Sequence, residues 1–357
     1  MKQKQSDYMH WAKTRSQARF NLASSGVGRY PISELAFDPA RFEVNNENSY
    51  GYRPLQEAIG QHAGVDPACV VEAAGTSMAN HLAMAAVLEP GDDVLIETPV
   101  YTLFTDVAHY LGVSVNRFVR REEDGWAINP AAVKAAMTPR TRLIVVTNLH
   151  NPTSVLTPEP VLRDLAQIAQ EAKAWLLVDE VYLDAVFDHT PRTAFHLGDN
   201  VIITNSLTKV YGLSGLRCGW ILAQPDLAWK MRRLNDLFSA TPVHPGELLS
   251  VAAFARLPEL RQRARRMIEA DRTVLQSFLE RETRLSAVST DWGTTCFARL
   301  NSGDTETFID RLRDEFETSV VPGRFFERAD HFRIGLGVDS AMFAEGLKRL
   351  ERALGTR

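Results

Sequence analysis

The sequence predicts an α/β protein: a large domain with a mainly parallel sheet sandwiched by helices, plus a smaller α+β domain. Three observations lead there. Short apolar runs rich in β-branched residues recur, "DVLIE" at 93–97, "VSVNRFV" at 113–119, "RLIVV" at 142–146, "AWLLV" at 174–178, "NVIIT" at 200–204 and "GWILA" at 219–223. Helical patterns lie between most of them, at 76–88, 101–111, 157–171 and 226–237, and this alternation is the grammar of a parallel sheet with both faces covered. After about residue 245 the order changes to a long helix near 256–282, a strand at 296–300, a helix at 305–316, a strand at 331–336 and a closing helix at 339–354. The expected division is 45–252 for the large domain and 253–357 for the small one, completed by the N-terminal segment 1–44.

Composition narrows the function classes. The chain has 357 residues, 45% apolar and 24% charged, with a net charge of −4, which is an ordinary globular balance with no nucleic-acid footprint. The densest basic run, "RQRARR" at 261–266, reads as the solvated face of a helix, because Leu260, Met267, Val274, Leu275 and Phe278 form an apolar stripe through and beyond it. Cys69, Cys218 and Cys296 are far apart and lack metal-ligand spacing, so a reducing compartment with structural thiols is expected and no metal site. The first seventeen residues hold no apolar core for a signal peptide, and no run approaches a membrane span. A cytoplasmic protein without membrane or nucleic-acid partners is expected.

In a parallel sheet, ligands collect at the carboxyl ends of strands. Taken in order, those ends carry polar groups that a structural sheet does not need. "EAAGTSMAN" places Gly75, Thr76 and Ser77 at a helix start, where three backbone N–H groups make an anion site. "IETPVY" adds the ring of Tyr101. "IVVTNLHNPTS" delivers Asn151, with His150 beside it as a loop residue. "LLVDEVY" delivers Asp179 and Tyr182. "IITNSLTK" delivers Ser206, Thr208 and Lys209, and Arg217 follows eight residues later. The hydroxyls and the arginine fork suit a phosphate. A carboxylate at the exit of an apolar strand suits a protonated ring nitrogen, and Tyr182 and Asn151 suit a phenolate oxygen. Lys209 then becomes intelligible as an amine that forms a Schiff base with an aldehyde, its pKa held low by charged neighbours.

The run "SLTKVYGLSGLRCG" at 206–219, with "NPT" at 151–153 and "DEVY" at 179–182, resembles the fold-type-I pyridoxal-phosphate enzymes, specifically the class I/II aminotransferases, over about Gly26 to Gly337. The resemblance implies pyridoxal 5'-phosphate as cofactor and an aspartate-aminotransferase-like fold. It makes Lys209 the lysine that carries the cofactor, Asp179 the partner of the pyridine nitrogen, and Tyr182 with Asn151 the ligands of the phenolate oxygen. Gly75, Thr76, Ser77, Ser206, Thr208 and Arg217 would hold the phosphate and Tyr101 would stack on the ring. Arg333, in "HFRIGLG", stands where the family clamps the substrate carboxylate, and "SSGV" at 24–27 resembles the segment that closes over substrate, with Gly26 lending backbone contact. A homodimer is implied. Where the family places a tyrosine that reaches the neighbouring phosphate, this chain has Asn46; either Tyr50, directly before Gly51, substitutes through a shifted loop or the phosphate loses that contact.

The expected activity is transfer of an amino group between an L-amino acid and a 2-oxo acid by a ping-pong mechanism. Elimination, replacement or cyclisation on the same cofactor is the alternative, because "NLASSGVGRYPISEL" at 21–35 resembles the enzyme that makes the cyclic arginine derivative capreomycidine. A ligand sensor without catalysis ranks last, since the roughly forty residues before the catalytic domain leave no room for a helix-turn-helix. Tyr30, Ile32 and Trp292 lie near expected pocket segments as candidates to shape substrate choice.

Overall fold

The computed structural model describes residues 4–45 and 49–355. Helix α1 (Asp7–Thr14) and the short strand β1 (Phe20–Asn21) precede α2 (Arg53–Ala63). The main sheet follows, made of β2 (Val70–Ala74), β3 (Asp93–Thr98), β4 (Ser114–Val119), β5 (Thr141–Thr147), β6 (Trp175–Asp179), β7 (Val201–Ser206) and β8 (Cys218–Leu222). Their order across the sheet is β2-β8-β7-β6-β5-β3-β4. All neighbours are parallel except those of β8, which runs against both β2 and β7.

Alternate residues of each strand serve opposite faces. Leu143 and Val145 of β5 join one core with Ala79 and Leu82 of α3 (Thr76–Val87) and Phe104 of α4 (Leu103–Leu111). Ile144 and Val146 join the other with Val133 of α5 (Pro130–Ala136) and Leu165 of α6 (Glu159–Glu171). Burial on both faces, worth about 1.5–3 kcal/mol per large aliphatic side chain, is what makes these strands read as continuous apolar runs. Strand β2 escaped the sequence reading because "VVEAA" carries a glutamate and two alanines of poor strand propensity. It is held in place by pairing with β8, which covers Glu72.

Helices α7 (Pro225–Asn235) and α8 (His244–Phe254) lead into the 25-residue α9 (Leu257–Arg281). Strands β9 (Leu285–Ala287) and β10 (Thr295–Leu300), helix α10 (Thr305–Asp314), β11 (Thr318–Ser319), β12 (Val321–Pro322), β13 (His331–Gly335) and α11 (Ser340–Gly355) complete the chain. They build a smaller antiparallel sheet in the order β12-β13-β10-β9. Strand β1 pairs parallel with β11, which fastens the N-terminal segment to this part of the chain.

The basic run on α9 is not simply a solvated face. Arg261 donates to the carbonyls of Asp184, Val186 and Phe187, and Arg263 to those of Gly28 and Arg29. These forks satisfy loop carbonyls that no strand pairs, an arrangement that composition and periodicity do not reveal. Asp271 of α9 accepts from the amides of Gly337 and Val338 at 2.8 and 3.0 Å, so the helix fixes the loop leaving β13.

Candidate active site

A cavity of about 410 Å³ opens where the parallel strands end, roofed by α1 and the segment after β1. Its charged lining residues, among those described, are Asp179, Lys209, Arg217 and Arg333. Three cations thus face one carboxylate, and such a space attracts anions.

One end is built on the start of α3. Gly75 caps that helix at φ +80°, and no side chain caps the turn. A Cβ here would be strained and would collide with the Arg217 guanidinium, so the position requires glycine. The Gly75 amide is bonded to the Ala73 carbonyl at 2.7 Å, which corrects the expectation of three free N–H groups; the amides of Thr76 and Ser77 remain. Thr76, Ser206 and Thr208 form a hydroxyl chain, with oxygens 2.7 and 2.6 Å apart. Arg217 is anchored to the Ala74 and Ser214 carbonyls and has no carboxylate partner among the described residues. Its backbone is left-handed at φ +53°, a conformation that costs a non-glycine residue about 1 kcal/mol.

The centre holds Lys209 and Asp179. Enclosure lowers the Lys209 pKa, and the Arg333 and Arg217 charges add to the fall. Its Nζ donates to Ser25 Oγ at 3.0 Å. Asp179 ends β6, where burial pushes its carboxyl up to about 6, opposed by hydrogen bonds from Asn80 Nδ2 at 2.8 Å and the Val181 amide at 3.0 Å. Tyr182 donates to the same Ser25 Oγ at 3.0 Å, and burial raises its phenol pKa.

The far end is organised by Arg333, which is 1% exposed. Its Nη1 donates to Asn151 Oδ1 at 2.9 Å, leaving the Asn151 amide nitrogen as a donor, and its Nη2 donates to Tyr8 Oη and the Ala23 carbonyl. Its Nε has no partner, and no carboxylate pairs with it among the described residues. A buried guanidinium without a counter-ion is expensive, and it is explained if an anion arrives from outside. Tyr101 lines the cavity, edge-on to the Tyr8 ring at 5.1 Å, and its hydroxyl contacts Met9 Sδ at 3.3 Å.

The structure brings together Gly26, Thr76, Ser77, Tyr101, Asn151, Asp179, Tyr182, Thr208, Lys209, Arg217 and Arg333 on the cavity wall. Ser206 lies beneath it as a link between hydroxyls. Tyr50 lies elsewhere, 42% exposed against Trp229, with its hydroxyl on Asp236. Asn46 falls outside the described residues. Tyr30, Ile32 and Trp292 do not line the cavity: Tyr30 bonds the Glu34 carbonyl, Ile32 is exposed, and Trp292 packs on His189. His150 is fully buried and neutral; its Nε2 faces the Pro99 carbonyl, which can only accept, so Nδ1 accepts from Thr153. The sequence reading gave no role to Tyr8 or Asn80, and took Ser25 only as part of the 24–27 segment. Asn80 was signalled by its place one turn after Ser77; Tyr8 and Ser25 arrive only through tertiary folding of the N-terminal segment.

Residues 44–350 match the family described as aminotransferase class I and II. The chain belongs to that family. Class I and II aminotransferases use pyridoxal phosphate, and the donor set fits it: an enclosed amine, a buried carboxylate, a hydroxyl chain beside a guanidinium, and a ring to stack. The chain is 31% identical over 367 aligned residues to capreomycidine synthase of Streptomyces vinaceus, covering 97% of this chain and 92% of the relative. It is 27% identical over 314 residues to the arginine–pyruvate transaminase AruH of Pseudomonas aeruginosa, covering 84% and 80%. Among solved structures, a PLP-dependent aminotransferase from Streptococcus suis superposes with a TM-score of 0.92 at 26% identity, covering 99% of this chain and 98% of that one. The aspartate aminotransferase of Thermotoga maritima shares the fold, with a TM-score of 0.84 at 21% identity over 98% and 95% of the chains.

Proposed function

We propose that this chain is a pyridoxal-phosphate-dependent aminotransferase that moves an amino group from an L-amino acid to a 2-oxo acid. The observation that carries the reading is one cavity lined by Arg217 and Arg333, neither with a carboxylate partner among the described residues, together with Lys209 and Asp179. That set of groups suits two anions beside one amine, a cofactor phosphate at Arg217 and a substrate carboxylate at Arg333.

When bound, the cofactor supplies an aldehyde carbon that bonds amines and a protonated ring that accepts the electron pair left when a proton departs. The amides of Thr76 and Ser77, the hydroxyls of Ser206 and Thr208, and Arg217 would hold its phosphate. Asp179 would keep the ring nitrogen protonated, Tyr182 and Asn151 would hold the ring oxygen, and Tyr101 would cover a ring face. Arg333 orients the substrate through its carboxylate, with Gly26 and the rest of segment 24–27 excluding water above. Lys209 Nζ, held low in pKa by enclosure, would take the substrate Cα proton as general base and later give it up again.

A second reading has one observation behind it, the 31% identity to capreomycidine synthase along nearly the full chain. Elimination, replacement or ring closure would begin with the same proton abstraction. Mixing holoenzyme with one amino acid and no oxo acid tests both. Transfer yields one equivalent of 2-oxo acid and an aminated cofactor without ammonia. Ammonia, or a cyclised product with the aldehyde form retained, would overturn it.

The chain is proposed to act as a homodimer, supported by family membership and by exposed Tyr50, Trp229, Leu237, Phe238 and Val243. The mass in solution by light scattering checks this. Among the described residues no helix is long and apolar enough to cross a membrane. The unpaired Cys69, Cys218 and Cys296 support a reducing, cytoplasmic setting.

A further inference from the structure

Ser25 is buried, 5% exposed, and its Oγ stands 3.0 Å from two groups that the proposed chemistry needs, Lys209 Nζ and Tyr182 Oη. Both donate to it. A hydroxyl has two acceptor sites and one donor, so Ser25 Oγ can take both protons here, and it still accepts from Lys209 when the single Tyr182 proton turns to a cofactor oxygen. The placement is enforced by backbone contacts on either side. The Ser25 carbonyl accepts from Thr294 Oγ1 at 2.8 Å, and the Val27 amide donates to the Lys209 carbonyl at 2.8 Å. A Cβ on Gly26 would press against the Lys209 backbone at 3.4 Å, so the segment rests directly on the lysine's own main chain.

We propose that Ser25 is a catalytic residue that holds the Lys209 amine while it is not bonded to cofactor. By accepting one N–H, Ser25 Oγ fixes the rotation of the amine, so that its lone pair faces the substrate Cα rather than wandering over the flexible lysine stem. No bond to Ser25 forms or breaks. The inference rests on the proposed role of Lys209, yet it assigns a function to the Ser25 side chain, where the resemblance at 24–27 implied only backbone contact from Gly26. Misplacement of a reacting group by about 1 Å costs on the order of a hundredfold in rate, so this contact is worth about ten- to a hundredfold.

The first experiment needs no cofactor. Cofactor-free protein is acetylated with a small anhydride at a series of pH values, and labelling at Lys209 is followed by peptide mass. Ser25 Oγ stabilises the ammonium form, so Ser25→Ala is expected to lower the midpoint of Lys209 labelling by about one pH unit, while Ser25→Thr retains the parent's midpoint. In the loaded enzyme, Ser25→Ala should lower kcat about tenfold or more and change KM less than about twofold. If Ser25→Ala fails to fold, Ser25→Cys, which keeps the volume with a weaker acceptor, is read in its place. An unchanged labelling midpoint together with an unchanged kcat overturns the proposal for Ser25 even if Lys209 carries the cofactor. Absence of cofactor from Lys209 would instead overturn the proposed function.

Discussion

Asn80 Nδ2 donates to Asp179 Oδ2 at 2.8 Å while Asn80 Oδ1 accepts from Thr204 Oγ1 at 2.5 Å, so the carboxylate is held from a helix that is itself held by the next strand. Asp179 is oriented before any ligand arrives, and this preorganisation has a cost in the cofactor-free chain. Burial raises its pKa to about 6, so the folded state binds the proton more tightly than the unfolded one. The favourable contribution is complete below about pH 4 and is lost as pH rises through about 6. Asp179→Asn removes this loss. Urea unfolding of the cofactor-free variant at pH 8 should therefore give a stability up to about 3 kcal/mol above the parent, with no gain at pH 4. Activity should fall by orders of magnitude in the same variant, because the amide cannot keep the ring nitrogen charged.

Glu97 and Arg120 form a fully buried pair, Oε2 to Nε at 2.8 Å, behind the cavity wall. The other Glu97 oxygen accepts from the amide and hydroxyl of Thr147, both at 2.7 Å, and that hydroxyl accepts from the Asn151 amide. Glu97→Gln leaves a buried guanidinium uncompensated and should cost about 3–5 kcal/mol. Adding Arg120→Met should recover most of that loss. Denaturant midpoints of the two single variants and the double variant check this, since additive losses would mean the pair is not coupled.

The two arginines divide the anions between them. Arg217→Gln should weaken cofactor binding and leave the KM for amino acid within about twofold at saturating cofactor. Arg333→Lys should leave cofactor affinity near the parent and lower kcat/KM about a hundredfold, because an ammonium cannot reproduce the two-pronged grip on a carboxylate. Cofactor titration by fluorescence quenching, followed by steady-state kinetics, separates the two effects.

The strands were legible because both faces of each are buried, which leaves unbroken apolar runs. Site residues at their exits were legible because Asp179 and Lys209 are costly there without a partner, whereas Arg217, which is exposed, was legible only through its place eight residues after Lys209 in the motif. Legibility fails where tertiary contacts decide. Arg261 and Arg263 look like surface charge until the carbonyls they serve are in view. Ser25 and Tyr8 lie in the stretch 4–25, whose regular elements among the described residues are α1 and a two-residue strand, and the parallel pairing of Phe20 with Thr318 brings that stretch to the cavity. Gly75 was rightly picked as special, yet its amide is spent on a turn, and the residue is needed because a side chain would displace Arg217.

The central claim is that a single amine, Lys209 Nζ, carries the cofactor. The direct measurement is peptide mass spectrometry after the holoprotein is reduced with borohydride. The account predicts that the cofactor's added mass is found on the peptide containing Lys209, and that no peptide of Lys209→Ala carries it. A tag on another lysine, or undiminished turnover by Lys209→Ala, would contradict it.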